Sequence, residues 1–494
     1  MPDFHWRDLL SGHSGSQPVF VDGKRAWSAR EVLAELDALD ERLLPSRVLG
    51  VLADNGAAWA MADLAAHDAG IVHLPLPGFF SPAQLRHAIE QTAVDTILTD
   101  QPERIGALDL RFTVAWFWRG LAWMRRVVEP ADLPGGTAKI SFTSGSTGAP
   151  KGACLSASGL HATARAVCAR LADLPLERHL IVLPLSLLLE NVAGLYAPLL
   201  RGMPVHLLPL AGLGWRGMAG CDPMVLDAAA RASHASSVIL VPELLKAWTM
   251  WLARARRQAP DGLRFVAVGG ARVAADLLRR ARQLGIPAYQ GYGLTEGGSV
   301  VALNRPGDDM DGDDDVGRPL DHARVHVEGG EVVVDAPAFL GYVGNAVATD
   351  GVFPTGDLGE LDPRGHLRLT GRRGNLLITS YGRNLSPEWV EAALLAQPAI
   401  LQAIVVGDSR AAPAAIIVAS PGACEADIDA AILAANQTLP DYARVAHRLL
   451  AAPFTAGNGL ATGNGRPVRP AIIEHHAAQV AALYAREESE DVVL

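Results

Sequence analysis

The stretch SFTSGSTGAPKG at residues 141–152 decides how the rest of the chain is interpreted. Its glycines let the backbone turn N–H groups towards an anion, and its hydroxyls and Lys151 add donors and positive charge. It differs from a Walker loop, because Lys151 follows a proline and precedes a glycine instead of a serine or threonine. This composition predicts a phosphate-binding loop instead of a flexible Ser/Gly linker.

The segments on either side of this loop alternate between strand-like and helix-like patterns. The strand-like runs are residues 47–52, 70–76, 237–241 and 264–268, and the helix-like runs are residues 29–42 and 57–69. Alternation of this kind predicts parallel strands joined by helical crossovers.

The pattern changes after about residue 321. Residues 323–334 and 365–370 predict shorter strands joined by Gly, Asp and Pro turns, which indicates a small β subdomain. From Asn375 onward a further unit is expected, with strands at LLITS and ILQAIVVGD and helices at PEWVEAALLAQ and residues 425–438. Because 494 residues exceed one ordinary core, we predict two domains, residues 1–374 and 375–494.

The overall composition excludes several classes of protein. Hydrophobic residues make up 49% and charged residues 19%, which is typical of a globular chain. The net charge of -10 argues against nucleic-acid binding. Four scattered cysteines form no CxxC pair or Cys/His cluster, so a zinc site is not expected. The N-terminus has no long apolar run, and we predict a cytoplasmic protein with reduced thiols.

Residues 180–200, LIVLPLSLLLENVAGLYAPLL, are long enough to cross a bilayer. Glu190 and Asn191 lie near the middle, where an acid alone costs about 3 kcal/mol. We therefore predict a buried strand, a loop and a buried helix, and no transmembrane segment.

Two further segments have an ordinary and a functional interpretation. Residues 308–315 contain six aspartates, but the ligand spacing and late Glu of a calcium loop are absent, so a solvated loop is expected. Residues 116–126, WFWRGLAWMRR, predict a helix with its aromatic residues in the core and its arginines outside. Contact with a lipid surface or an acidic carrier protein is the alternative for this segment.

The phosphate loop resembles that of the adenylate-forming superfamily of AMP-binding enzymes, which contains acyl-CoA synthetases, nonribosomal-peptide adenylation domains and firefly-type luciferases. Five more segments resemble the other family motifs, in the family order. They are AVGGARV at residues 267–273, YQGYGLTEGG at 289–298, PTGDL at 354–358, GRRGN at 371–375 and YGRNLSPEWVE at 381–391. Among the members of this superfamily, the chain most resembles the fatty acyl-CoA ligases.

The resemblance implies an α/β fold, with a large N-terminal domain of parallel-rich sheets wrapped by helices plus a β subdomain. A small, mobile α+β C-terminal domain would follow, with Asn375 at the hinge. ATP and Mg²⁺ are the implied cofactors, and CoA is the implied co-substrate. The implied reaction joins a carboxylic acid to AMP and then passes the acyl group to a thiol.

The resemblance also implies the site residues. The implied catalytic residues are Lys151, Thr295, Glu296 and Arg466, with Glu296 as the magnesium ligand. The implied ATP/AMP-binding residues are Thr143, Ser144, Gly145, Ser146, Thr147, Gly148, Gly269, Gly270, Ala271, Gly291, Tyr292, Gly293, Asp357 and Arg372. Leu187 and Gly194 are the expected acyl-pocket residues, and the leucines around them favour a fatty or other aliphatic acid.

Two positions depart from the family pattern. Arg466 stands where the family has a lysine that reaches the α-phosphate, and its planar fork differs from a lysine's point charge. Asn375 stands where Asp or Lys is usual. Two alternatives therefore stay open beside an acyl-CoA ligase. One is a ligase that loads the phosphopantetheine of a carrier protein, and the other is a nucleotide-binding protein with little or no adenylation activity.

Overall fold

A computed structural model describes residues 4–13, 17–143, 150–216, 220–308, 315–345, 351–380, 382–463 and 465–490. For Thr143 and residues 485–490 it describes the main chain alone. Two large, mostly parallel sheets form the bulk of the N-terminal part. Their strands and helices follow the alternation predicted from the sequence.

The first sheet has nine strands. In spatial order they are β16 (Arg318–Pro319), β15 (Ala302–Leu303), β14 (Ala288–Tyr292), β13 (Phe265–Val268), β12 (Ser237–Leu240), β10 (His179–Leu180), β11 (Val205–Leu207), β1 (Pro18–Asp22) and β2 (Arg25–Ser28). The strands from β14 across to β1 run parallel, and antiparallel strands close both edges.

The second sheet has eight strands. In spatial order they are β19 (Phe339–Tyr342), β9 (Lys151–Ser156), β8 (Thr137–Thr143), β4 (Val72–Pro75), β3 (Val48–Leu52), β5 (Thr96–Thr99), β7 (Leu121–Arg125) and β6 (Thr113–Trp118). Its centre is parallel from β8 to β5, and both margins are antiparallel.

Helices cover and separate the two sheets. They are α1 (Trp6–Ser11), α2 (Ala29–Leu43), α3 (Ala57–Asp68), α4 (Pro82–Gln91), α5 (Pro102–Gly106), α6 (Ala157–Arg170), α7 (Ala197–Leu200), α8 (Pro223–Ala232), α9 (Pro242–Ala255) and α10 (Ala275–Gln283). Ser28 and Ser81 start α2 and α4 with capping boxes. Phe20 of β1, Leu49 of β3 and Trp59 of α3 belong to one buried cluster, so both sheets share a core.

Smaller sheets complete the molecule. An antiparallel sheet contains β17 (Arg324–Glu328), β18 (Glu331–Asp335), β20 (Val352–Leu361) and β21 (Leu367–Arg372). After Asn375 come the pair β22 (Leu377–Ile378) and β23 (Asn384–Leu385), and a sheet of β24 (Ile400–Val406), β25 (Ala414–Ala419) and β26 (His447–Leu450). The helices of this part are α11 (Pro387–Leu395), α12 (Glu425–Asn436), α13 (Arg469–His475) and α14 (Ala477–Glu490). The predicted fold class is confirmed.

The apolar stretch at residues 180–200 is confirmed as part of the protein interior. It starts in β10 and ends in a π-helical segment, Glu190–Tyr196, followed by α7. Glu190 and Asn191 are buried, and Glu190 accepts a hydrogen bond from the Val182 N–H at 2.9 Å. Among the residues described, no helix is long and apolar enough to span a membrane.

The predicted helix at residues 116–126 is wrong, because these residues form the hairpin of β6 and β7. Arg119 and Gly120 have φ angles of 49° and 83°, which suit the tight two-residue turns that join twisted antiparallel strands. Trp116 and Trp123 pair across the hairpin with ring centroids 5.3 Å apart. The aromatic spacing therefore reflects cross-strand pairing.

The aspartate-rich run differs in part from the expected solvated loop. Residues 309–314 lie outside the described residues. At the two ends, Asp308 accepts a hydrogen bond from Arg170, and buried Asp315 accepts one from the Gly317 N–H at 2.8 Å. Within the described ranges no group of three or more His, Cys, Asp or Glu side chains could hold a metal ion.

A buried polar cluster ties β8, which leads into the phosphate loop, to α3 and the π-helical segment. The Lys139 ammonium donates to Asp63 at 2.7 Å and to Tyr196 at 2.9 Å, and Asn191 donates to the other Asp63 oxygen at 2.7 Å. Burial alone raises the pKa of Asp63, but Lys139 and His73 outweigh it and hold that pKa well below its usual range. The cluster is therefore an ion pair inside the core.

Removing one partner of this pair should destabilise the protein strongly. Asp63→Asn leaves the Lys139 ammonium buried without a counter-charge, and we expect a loss of about 3–5 kcal/mol in the free energy of unfolding, measured by urea denaturation. The double variant Asp63→Asn with Lys139→Met should recover much of that loss. If the single variant unfolded with the same urea midpoint as the wild type, this account would be contradicted.

Candidate active site

The expected adenine-binding segments meet at one edge of the nine-stranded sheet. Gly269 and Gly270 directly follow β13, and Tyr292 ends the neighbouring parallel strand β14. The carboxyl ends of parallel strands are where open α/β sheets bind ligands. Gly293 is forced to be glycine, because a Cβ there would lie 1.7 Å from the Ser299 carbonyl oxygen.

Three of the expected nucleoside-binding residues form one hydrogen-bonded group. Tyr292 donates its hydroxyl to Asp357 Oδ2 at 2.7 Å, and Arg372 donates from Nε to Asp357 Oδ1 at 2.8 Å. Asp357 and Arg372 face each other across β20 and β21. The Asp357 N–H donates to Thr355 Oγ1 at 3.0 Å, which fixes the turn. Burial and the Asp357 carboxylate raise the pKa of Tyr292, so its hydroxyl remains a donor.

The phosphate-loop residues Ser144, Gly145, Ser146, Thr147 and Gly148 lie outside the described residues. The structure describes the two ends of this loop, where Thr143 of β8 pairs with Lys151 of β9. The Lys151 ammonium lies 5.8 Å from the ring centroid of Tyr342. The loop therefore starts and ends on adjacent antiparallel strands beside that tyrosine.

The expected magnesium ligand has a partner that the sequence did not reveal. Tyr342 donates its hydroxyl to Glu296 Oε1 at 2.7 Å. Burial and this carboxylate raise the pKa of Tyr342. Glu296 lies in a turn that is closed by a hydrogen bond from the Gly298 N–H to the Thr295 carbonyl oxygen at 3.0 Å. Tyr342 lies on β19, which pairs with β9, and it approaches Glu296 with its hydroxyl and Lys151 with its ring.

The geometry at Glu296 fits a magnesium ion that is held mainly by a nucleotide. Magnesium is commonly bound by one or two carboxylates together with substrate phosphates. Glu296 supplies one carboxylate, and its hydrogen bond from Tyr342 fixes the orientation of that group. When bound, the ion would neutralise phosphate charge at this position.

The two expected acyl-pocket residues have different surroundings. Leu187 is half-buried and packs against the apolar cluster beneath α9. Gly194 is buried in the π-helical segment, where a Cβ would lie 3.0 Å from His179 Nε2 and 3.1 Å from Glu190 Cδ. A leucine close to Leu187 in the sequence approaches the adenine-binding segment more directly, because Leu189 Cδ2 is 3.6 Å from the Cβ position of Gly269.

Arg466 lies in the part of the chain after Asn375, within electrostatic range of Asp357 and Arg372. The Arg466 side chain is exposed, but the protein around it removes part of its hydration and so lowers its pKa, and the positive charge of Arg372 lowers the pKa further. The carboxylates that favour its charge belong to Glu243, Asp357 and Glu388. Main-chain hydrogen bonds fix its turn, since the Arg466 N–H donates to Thr462 Oγ1 at 3.1 Å. The structure thus brings Arg466 to the same group as Arg372.

Asn375 connects the nucleoside-binding side to the last part of the chain. It follows Arg372 by three residues and donates from Nδ2 to Glu388 Oε1 at 2.5 Å. Ser386 donates to the other Glu388 oxygen at 3.0 Å. Glu388 lies in the first turn of α11, so the side chain of Asn375 is tied to the helix that follows it.

Comparisons with known proteins agree with this arrangement. The AMP-binding enzyme family matches residues 11–343, and the AMP-binding enzyme C-terminal domain matches residues 375–488. The long-chain-fatty-acid–CoA ligase FadD15 of Mycobacterium bovis is 27% identical over 520 residues, which is 87% of this chain and 86% of that protein. The 2-succinylbenzoate–CoA ligase of Salmonella typhimurium is 30% identical over 81% of this chain and 82% of its own length.

A solved structure has a similar fold at low sequence identity. It is the O-succinylbenzoate coenzyme A synthetase of Bacillus subtilis in complex with ATP and magnesium ion. The TM-score is 0.74 and the sequences are 21% identical, with 94% of this chain and 98% of that one covered.

The hydrogen bond from Tyr342 to Glu296 should matter only when magnesium is present. We expect Tyr342→Phe to weaken ATP binding about 10-fold in Mg²⁺, because the hydrogen bond that orients the expected magnesium ligand Glu296 is lost. ATP binding in EDTA should stay at the wild-type level, as measured by calorimetric titration. Tyr484→Phe, which removes a donor to the Ala412 carbonyl, is the matched control. Equal weakening with and without Mg²⁺ would contradict this role.

The Asp357 carboxylate should recognise the ribose. Asp357→Asn should cost about 1.5–3 kcal/mol of ATP binding, the range for hydrogen bonds to a charged group. Comparing ATP with 2′-deoxy-ATP isolates the sugar contact. The wild type should prefer ATP, and the preference should shrink in the variant. An unchanged preference would place the ribose elsewhere.

Proposed function

This chain belongs to the AMP-binding enzyme family, and from that premise we propose that it is an ATP-dependent acid–thiol ligase. It would join a carboxylic acid to AMP and then transfer the acyl group to CoA. The observation that carries the proposal is the hydrogen-bonded group of Tyr292, Asp357 and Arg372 at the sheet edge where Gly269 and Gly270 lie. Arg466 lies within electrostatic range of this group.

In the first step a carboxylate oxygen of the acid attacks the α-phosphorus of ATP. The bond from that phosphorus to the bridging oxygen breaks, and pyrophosphate leaves with the electron pair. Negative charge builds up on the phosphoryl oxygens, so the enzyme acts mainly by positioning anions and stabilising their charge. Lys151 and Arg466 are the side chains we assign to that task, with Thr295 beside Glu296.

The electrostatics of the cleft support an anionic ligand. Desolvation lowers the pKa of Arg466, and the positive charge of Arg372, which lies within electrostatic range, lowers it further. An arginine keeps its proton under these conditions, so the cleft holds two guanidinium groups with partial compensation by carboxylates. A nucleotide phosphate would relieve this repulsion and accept charge-assisted hydrogen bonds.

In the second step the thiol sulfur attacks the acyl carbonyl carbon. The bond from that carbon to the phosphate oxygen breaks, AMP leaves with the electron pair, and the thiol proton is released. CoA is the acceptor in the names of the relatives, both of which are CoA ligases. We propose CoA here as well.

We propose that the acid is a fatty or other aliphatic acid. The side chains nearest the adenine-binding glycines are apolar. Leu189 lies beside Gly269, and Val241 Cγ1 is 3.7 Å from the Cβ position of Gly270. An apolar wall at the carboxylate end of the site favours an acid without a charged group close to its carboxylate.

Acid-dependent exchange of labelled pyrophosphate into ATP tests the first step directly. We expect exchange with one class of acid from a panel of fatty acids of graded length, aryl acids and amino acids. Fatty acids should give the highest rate. No exchange with any acid, although ATP still binds, would instead support a nucleotide-binding protein without adenylation activity.

Variants of Arg466 test its role in that step. Removal of one transition-state donor typically costs about 10²–10³ in rate, and we expect a loss of this size for Arg466→Ala. Arg466→Lys keeps a cation and should lose less. Formation of acyl-CoA from synthetic acyl-AMP should change little in either variant. Full exchange activity in Arg466→Ala would assign the residue to the surface.

A further inference from the structure

Two cationic side chains from the part before Asn375 donate to main-chain carbonyl oxygens at the end of α11 and at the start of β24. Lys246 of α9 donates from Nζ to the Ile400 carbonyl oxygen at 2.6 Å. Arg280 of α10 donates from Nη2 to the Ala396 carbonyl oxygen at 2.6 Å. Ala396 directly follows the last residue of α11. Ile400 is the first residue of β24. The two cations therefore hold both ends of the short segment that joins α11 to β24.

The end of α11 is well suited to this contact. The last carbonyl groups of a helix have no partner within the helix, and they carry the negative end of its dipole. Ala396 is 4% exposed and packs in the same apolar cluster as Leu245 of α9 and Leu278 of α10. Apolar packing therefore supplies the contact area. The hydrogen bonds of the two cations fix the orientation of the two parts relative to each other.

The contact across the boundary compensates the cost of burying the Lys246 ammonium. Burial lowers its pKa to about 8, and the neighbouring charge of Arg280 adds to the shift. A desolvated ammonium is costly unless an acceptor compensates it. The Ile400 carbonyl oxygen is that acceptor, and it lies on the other side of the boundary.

A third contact lies beside Arg466 itself. Gly463 packs so closely on Phe79 that a Cβ there would lie 2.5 Å from the Phe79 carbonyl oxygen. The same turn contains Arg466, whose carbonyl oxygen accepts a hydrogen bond from the Thr462 N–H at 2.8 Å. The position of Arg466 at the nucleotide site thus depends on how the part after Asn375 is seated.

We propose that Lys246 and Arg280 are positioning residues for the adenylation step, because they seat α11 in the arrangement that brings Arg466 to the nucleotide. The inference rests on the proposed function and adds to it the residues that set this arrangement. The thiol attacks the acyl carbon and the carbon–oxygen bond breaks, so no bond to the α-phosphorus is made or broken in the second step. The two half-reactions should therefore respond differently when the contact is lost.

The first test separates the half-reactions in Lys246→Met, Arg280→Met and the double variant. Loss of one hydrogen bond from a charged group should lower pyrophosphate exchange by about 10- to 100-fold, and the double variant should lose more. Formation of acyl-CoA from synthetic acyl-AMP should keep its wild-type rate. Arg264→Met is the matched control, since Arg264 also donates to a carbonyl, that of Asp261, within its own domain. Equal losses in both half-reactions, or none in exchange, would overturn the inference.

The second test uses Gly463→Ala, whose added methyl group collides with Phe79 only in this arrangement. Exchange should fall at least as far as in the double variant. Deuterium uptake at residues 76–85 and 457–467 is the readout that needs no substrate. Uptake should be faster in Gly463→Ala and in the double variant than in the wild type.

The two readouts also separate failure of this inference from failure of the proposed function. If the wild type shows no exchange with any acid, the proposed function fails, and faster deuterium uptake in the variants still supports the seating of α11. Unchanged uptake in all variants overturns the inference even if the wild type adenylates an acid.

Discussion

The Asp357 carboxylate is the group on which the geometry of the site depends. It accepts hydrogen bonds from Tyr292 at the end of the large parallel sheet and from Arg372 in the small antiparallel sheet. The chain reaches Asn375 three residues after Arg372, and from there the C-terminal part begins. One carboxylate therefore joins the two sheets and sets the starting direction of the part that carries Arg466.

The charges of the cleft follow from the same arrangement. Arg372 is fixed by Asp357, and Arg466, in the part after Asn375, lies within electrostatic range of Arg372. Nearby carboxylates compensate them in part, and the remaining positive potential suits a polyanion. An arginine in place of the family lysine is compatible with this design, because its fork can donate to two phosphate oxygens at once.

Much of the fold was predictable from local sequence patterns, and the structure brings together three residues that separate motifs assigned to one site, Tyr292, Asp357 and Arg372. The two helices and two strands predicted between residues 29 and 76 match the structure to within two residues at each boundary, since their apolar periodicity is strong. The elements before residue 29 were not predicted. Tyr342 was not predictable, because strand pairing alone brings it to Glu296. The hairpin at Trp116 was missed, since a turn of Arg119 and Gly120 overrides the helix-like spacing. The contacts of Lys246 and Arg280 join distant segments, and no sequence pattern signals them.

The central claim is that an acid attacks the α-phosphate of ATP, and an oxygen label follows this bond directly. The enzyme would be given CoA, ATP and an acid whose carboxylate carries ¹⁸O, and the products would be analysed by mass spectrometry. The account predicts one ¹⁸O atom in AMP and none in pyrophosphate, because the attacking carboxylate oxygen stays on phosphorus when the thiol displaces AMP. Label in inorganic phosphate, with ADP as the other product, would contradict it.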